Sequence, residues 1–238
     1  MTKAMLASEP LSAPAARVYW ESNSFKYDCL HDRLRLMAQE IARLAPASVL
    51  DLGCSTGRLA QELKSRLPLA DYYGCDVSQA AVDWIDSPHV VQCDLNIEGL
   101  PFDGLRFDCI AASGICEYIE DLPGFLCQVA GRLHSHGWFV ASYFNAWHIR
   151  RLVRVLAGRP PARNPCWQEL ASPAGFERLL LGSGFRIRRR LAARGKIKNA
   201  QTSTSAPFVD VWRRAWPRVT PLAHLLAHQL VYVCQRRA

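Results

Sequence analysis

Three aspartates stand at the ends of three short apolar runs: Asp51 in SVLDL, Asp76 in YYGCDV and Asp94 in VVQCDL. An ionised carboxylate offers two acceptor oxygens and a full negative charge, so it can take hydrogen bonds from two neighbouring hydroxyls or neutralise a cation. After Asp51 the chain continues Leu-Gly-Cys-Ser-Thr-Gly, where Gly53 and Gly57 permit a tight turn and close approach of a ligand to the backbone. This loop does not match a triphosphate cradle, because Gly57 is followed by Arg58 and Leu59 rather than by Lys and Ser or Thr. It also fails the dinucleotide pattern GxGxxG, whose second glycine is replaced by Ser55. A carboxylate at Asp51 disfavours a pyrophosphate and suits a ligand carrying an ammonium or sulfonium charge. Taken singly, each aspartate is expected to cap a helix or form a turn. Taken in this order behind a Gly-x-x-x-Gly loop, they point to a cationic cofactor whose ribose is held by Asp76.

Acids at successive strand tips share a site only if the strands run in parallel. The sequence supports this, since strand-like and helix-like patterns alternate for most of its length. DRLRLMAQEIARLAP spaces Leu34, Met37, Ile41 and Leu44 as one helix face, with Pro46 beyond its end. SVLDL, YYGCDV, VVQCDL, FDCIAAS and GWFVASYF read as strands, separated by the helical stretches GRLAQELKSRL, SQAAVDWI (capped by Ser78) and LPGFLCQVAGRL. FRIRRRL and HQLVYVCQ read as two final strands. Such alternation predicts an α/β fold, a mainly parallel sheet covered by helices on both faces.

The stretch VLDLGCSTGRLAQEL resembles the first motif of the class I S-adenosylmethionine-dependent methyltransferases, with Ser55 in place of that motif's usual central glycine. FDCIAASGICEYIEDLPGFLCQVAGRLHSHGWFVASY is similar to the family's following segments, and the resemblance covers about residues 47–143. It implies a Rossmann-like, seven-stranded mixed sheet with the last strand antiparallel, FRIRRRL and HQLVYVCQ forming the closing pair. It implies S-adenosyl-L-methionine as cofactor, with Gly53 close to its methionine part and Cys54, Ser55 and Gly57 also among the cofactor-binding residues. Asp76 and Val77 would meet the ribose, Asp94 and Leu95 the adenine, and Ser113 and Gly114 would flank the cofactor. One domain is expected, with an N-terminal lid and helix over 1–46, a cofactor core over 47–143, a substrate-side insertion over 144–183 and closing strands over 184–238.

A sulfonium already carries an activated methyl group, so the protein's main task is alignment, and a base is needed only if the acceptor must lose a proton. His148, following the fifth strand, is the candidate base, with Tyr143 and Glu117 as further catalytic candidates. Asn145, Arg150, Arg151 and Tyr19 are candidate acceptor contacts. Tyr19, Trp20 and Tyr27 belong to an aromatic N-terminal segment, which in similar methyltransferases often folds over the cofactor. Each has a plainer role open to it: a helix-face histidine, a docked N-terminus or a solvated arginine.

Charge is unevenly spread. Residues 1–149 hold 11 Lys/Arg against 18 Asp/Glu, whereas residues 150–218 hold 16 against 3. The basic stretch reads either as a solvated surface or as attraction toward an anionic acceptor, a partner or a membrane surface. Trp212 and Trp216 beside Arg213 and Arg214 admit peripheral membrane contact or core packing. No zinc-finger, helix-turn-helix or RNP pattern accompanies the charge. Nine cysteines without a CxxC pair read as reduced, packed thiols of a cytoplasmic protein, and no metal site is expected. His224 and His228 lack a third ligand. The expectation is methyl transfer to a small-molecule, lipid-linked or sugar-linked acceptor at oxygen, nitrogen or carbon. An accessory protein of methyltransferase type assisting a partner enzyme is the alternative, and nucleic-acid methylation is a third reading that only the charge favours.

Overall fold

The computed structural model describes residues 12–27, 31–85, 87–145, 147–158, 166, 172–193 and 227–237. Two helical pieces come first: α1 (Ala13–Asn23), with Pro14 in its first turn, and a 3-10 turn over Ser24–Tyr27. Helix α2 (Asp32–Leu44) buries Leu34, Met37 and Ile41 and ends where Ala45 turns left-handed at φ 47 ahead of Pro46. Strands and helices then alternate: β1 (Ser48–Leu52), α3 (Arg58–Lys64), β2 (Asp71–Asp76), α4 (Gln79–Ile85), β3 (Val90–Gln92) and β4 (Phe107–Ser113). They continue with α5 (Leu122–Arg132), β5 (Leu133–Phe144), α6 (Ile149–Leu156), α7 (Pro173–Gly182), β6 (Phe185–Ala193) and β7 (Gln229–Arg236).

The seven strands form one sheet in the order β3-β2-β1-β4-β5-β7-β6. β1 to β5 pair in parallel, and β7 runs antiparallel to both β5 and β6. The mixed Rossmann-like sheet with a reversed last strand is therefore present. After β3 the chain crosses back to place β4 on the other side of β1, which opens a crevice above the carboxyl ends of β1 and β4.

Side chains alternate across the sheet, and β1 shows the consequence. Leu50 and Leu52 face a core shared with Ile110, Phe139, Tyr143 and Phe176. Val49 faces the opposite core, built under α2 from Met37, Ile41, Cys109, Val140 and Val231. Asp51 shares Val49's parity, so it lies on the α2 side of the strand.

Two features differ from the sequence expectation. β5 begins at Leu133, ahead of GWFVASYF, because Leu133 pairs with Phe107 before a register shift lets Trp138 meet Cys109. The N-terminal segment is a helix, where the alanines and prolines suggested only a loose start. Trp212, Arg213, Arg214, Trp216 and His224 lie outside the described residues. Among the described residues no helix is long and apolar enough to cross a membrane.

Candidate cofactor and acceptor site

A cavity of about 420 Å³ occupies the crevice, walled by the loops after β1 to β4, by α1 and α2, and by the start of β7. The loop after β1 is built from backbone bonds. Gly53 takes φ 70, and the N–H groups of Gly53 and Cys54 both donate to the Cys75 carbonyl at 2.9 Å. Ser55 sits at φ 49, in the left-handed region, which places its N–H 2.8 Å from Asp76 Oδ2. Gly57 takes φ 74 behind the cavity wall, where an added Cβ would lie 3.2 Å from Ile85. Gly53, Cys54 and Ser55 line the cavity, and Gly57 does not.

Asp51 is 1% exposed, and the Tyr72 hydroxyl donates to its Oδ2 at 2.8 Å. Its other oxygen, Oδ1, is buried without a partner. Burial drives its carboxyl up to about 7, the Tyr72 bond works against that rise, and the nearby Asp76 adds to it. A half-titrated carboxylate with an unused oxygen on a cavity wall is suited to an ammonium or sulfonium group.

Asp76 accepts from Ser55 N through Oδ2 and from Ser78 N at 3.0 Å through Oδ1. Burial raises its carboxyl above the ordinary range, against those two bonds. Each oxygen keeps a lone pair for a ligand hydroxyl. Asp94 Oδ1 accepts from Asn96 N at 3.0 Å, while Glu98 reaches back to Asp94 N at 2.8 Å, so the turn after β3 is closed on itself. Val77, Asp94, Leu95, Ser113 and Gly114 also line the cavity. Asp51, Asp76 and Asp94 thus share one crevice.

The structure adds Arg33, which sequence reasoning did not single out. Arg33, near the start of α2, donates from Nε to Ser113 Oγ at 3.0 Å and from Nη1 to Gln229 Oε1 at 3.2 Å, and it passes over Gly114. Only the packing of α2 over β4, β5 and β7 separates it from its neighbour Arg35. Trp20 of α1 lines the cavity and meets Tyr118 edge-on at 5.1 Å. The helix is pinned there by Ser24 Oγ against Ser78 Oγ at 2.5 Å and by Glu21, which accepts from Gln79 N at 2.9 Å.

The acceptor-side candidates are placed differently. Tyr143 lies in the core, stacked on Phe176 at 4.1 Å, because its position on β5 faces α7. Asn145 joins two chain segments, its Nδ2 donating to the Ala227 carbonyl at 2.8 Å and its Oδ1 accepting from Trp147 N at 3.0 Å. Arg151 is buried across the Phe144 ring at 4.7 Å and donates to the carbonyls of Asn145 and His228. Its guanidinium is lowered to about 10 by burial, against the attraction of Glu117. Arg150 is exposed on α6. Tyr19 packs edge-on against Trp20 at 5.2 Å, outside the cavity lining.

His148 is the N-cap of α6, its Nδ1 accepting from Arg150 N at 3.2 Å, and its ring meets His228 at 5.4 Å. It does not line the cavity, whereas His228 does. Glu117 is fully buried beneath the crevice, its Oε1 accepting from Phe144 N at 2.8 Å and its Oε2 unpartnered. Burial raises Glu117 to about 7, opposed by hydrogen bonds and by Arg33 and Arg151. The crevice therefore gathers the cofactor candidates, and the acceptor candidates mostly fall into the scaffold around it.

A family model described as a methyltransferase domain matches residues 29–189. Malonyl-[acyl-carrier protein] O-methyltransferase of Acinetobacter baylyi is 23% identical over 167 residues, which cover 69% of this chain and 65% of that relative. Ubiquinone biosynthesis O-methyltransferase of Rhodopseudomonas palustris is 26% identical over 213 residues, covering 84% of this chain and 79% of the relative. Across the curated relatives it matches, the chain spans from 40% to 79% of their length. Among solved structures, the plantazolicin methyltransferase BpumL in complex with a monoazolic desmethylPZN analogue and S-adenosylhomocysteine aligns with a TM-score of 0.59 at 15% identity, covering 95% of both chains. The strand order with its reversed β7, the crevice where three strand-tip acids meet and the matched segment agree: the chain belongs to the methyltransferase-domain family, the class I S-adenosylmethionine-dependent methyltransferases.

Proposed function

We propose that this chain transfers the methyl group of S-adenosylmethionine to an oxygen of a small acceptor. The observation that carries the reading is Asp51, a buried carboxylate with an unpartnered Oδ1, which lines the same cavity as Asp76 and the Gly53–Ser55 turn. The residues present fit the cofactor: Asp51 for its positive charges, Asp76 for the ribose hydroxyls, Leu95 and Asp94 for the adenine. Arg33 supplies a planar set of donors for the methionine carboxylate. Trp20 and Ile115 add apolar cover.

When bound, the cofactor would supply an activated methyl group on its sulfonium sulfur. The protein's contribution is to hold the partners in line and exclude water, which can lower a barrier by about 7–11 kcal/mol. Oxygen as the methylated atom is supported by the names of the two curated relatives. Titration calorimetry with S-adenosylhomocysteine tests the cofactor reading. One site is expected, weakened about tenfold or more by Arg33→Lys, because an ammonium cannot reproduce a forked donor. No heat at millimolar ligand would sink it.

A further inference from the structure

His228 and Gln229, at the head of β7, both line the cavity, and cofactor binding as proposed uses neither. Gln229 is 1% exposed. Its Oε1 accepts from Arg33, while its Nε2 is buried without a partner. Flipping the amide would not help, since it would set NH2 against the guanidinium, donor against donor. The unsatisfied atom is therefore a donor, and such a group costs about 1–3 kcal/mol until something accepts from it. His228 Nδ1 is a second buried atom without a partner.

Position separates this pair from the cofactor's acids. β4, β5 and β7 are consecutive neighbours in the sheet. At roughly 4.8 Å per strand, the head of β7 stands about 10 Å from the tip of β4. Arg33 bridges that interval, with Ser113 at one end and Gln229 at the other. Phe144, His228 and Gln229 line the cavity together, and the last two carry the unpartnered polar atoms.

The surroundings are cationic. Burial lowers His228 to about 4, reinforced by Arg151, His148, Arg33 and Arg150, so its ring is neutral near pH 7. Glu117 is the acid set against Arg33 and Arg151, and it is itself drawn toward protonation by burial. The arginines among these surroundings favour an anion, against the cost of burying it.

We infer that His228 and Gln229 bind a carboxylate of the acceptor. The inference rests on the methyl-transfer reading and names the acceptor class for that same cavity. An amide N–H and an imidazole nitrogen, from neighbouring residues on one cavity wall, offer two polar groups for the two oxygens of a carboxylate, with the charges of Arg33 and Arg151 nearby.

The test is calorimetry on protein saturated with S-adenosylhomocysteine, using malonate, benzoate and octanoate, each against its methyl ester. At least one acid is expected to bind about tenfold more tightly than its ester. Gln229→Leu and His228→Leu should each weaken that acid about tenfold, and His228→Leu should hold S-adenosylhomocysteine affinity within about threefold. Gln229→Glu keeps a partner for Arg33, and with it the fold, but should abolish acid binding by charge. The inference is overturned if no acid binds, if acid and ester bind alike, or if Gln229→Leu leaves the acid unaffected. A tenfold loss of S-adenosylhomocysteine affinity in His228→Leu would also overturn it, by giving that wall to the cofactor. If the unmodified protein binds no S-adenosylhomocysteine, the cofactor reading fails separately, and acid binding to the free protein still decides this one.

Discussion

The Ser55 backbone N–H donates to Asp76 Oδ2 at 2.8 Å, so the turn after β1 and the tip of β2 fix one another. The carboxylate proposed to hold the ribose is thus also the anchor of the turn beneath the ligand. Asp76→Ala would strand the N–H groups of both Ser55 and Ser78. A loss of about 2–3 kcal/mol in S-adenosylhomocysteine binding is expected, roughly a hundredfold, and calorimetry would read it. An affinity within threefold of the parent would remove Asp76 from the site.

Asp51 carries a pH dependence whose sign can be worked out. Its carboxyl rises from 3.8 to about 7 on folding, so between those values the folded chain holds a proton that the unfolded chain has lost. Its contribution to the stability of the free protein therefore falls as pH rises through that window. Glu117, raised to about 7, acts in the same direction, so the effect is read as a difference between the parent and Asp51→Asn. The substitution should stabilise the free protein by about 1–2 kcal/mol at pH 8. S-adenosylmethionine, being cationic, should bind more tightly from about pH 6 to 8 and release a proton as it does. Calorimetry in buffers of differing ionisation enthalpy measures that release; a pH-independent affinity would contradict the placement of charge against Asp51.

Ser55 occupies φ 49, a conformation that costs a non-glycine residue about 1–2 kcal/mol. Glycine removes that strain but gives back about 0.5–1 kcal/mol of chain entropy. Ser55→Gly should therefore raise stability by up to about 1 kcal/mol with the loop unchanged, as chemical denaturation would show. A destabilisation of similar size would mean that the serine side chain makes a contribution of its own.

His148 caps α6 through Nδ1. His148→Ala should lower stability by about 1 kcal/mol, and His148→Asn, which restores an accepting side chain, should recover most of it. Thermal melts decide this. Equal losses in the two variants would show that the ring's packing on His228 matters more than the cap.

Asp51, Gly53, Asp76 and Asp94 were readable from the chain because strand-tip identity is local: an apolar run followed by an acid and a glycine-bearing turn needs no knowledge of its neighbours. The same holds for the ends of α2, where Pro46 stops a helical period. Arg33 gave no such signal. It shares a helix with Arg35, and nothing in their spacing tells which one points over β4. Tyr143 and Asn145 failed for the opposite reason, since adjacency to a promising strand end says nothing about which face a side chain takes or which segment it meets. α1 was missed because its prolines and alanines carry little apolar periodicity, and its docking depends on Ser24 and Glu21 reaching α4.

By itself the sequence determined the alternation of strands and helices, the glycine-permitted turn after β1 and the three acids of the cofactor crevice, because each depends on residues within a few positions of one another. Tertiary structure alone decided that Arg33, His228 and Gln229 line the same crevice as those acids. Arg33 and Gln229 are joined only when β7 inserts beside β5 and α2 packs across both, and contacts between residues so far apart in the chain follow from packing rather than from local pattern.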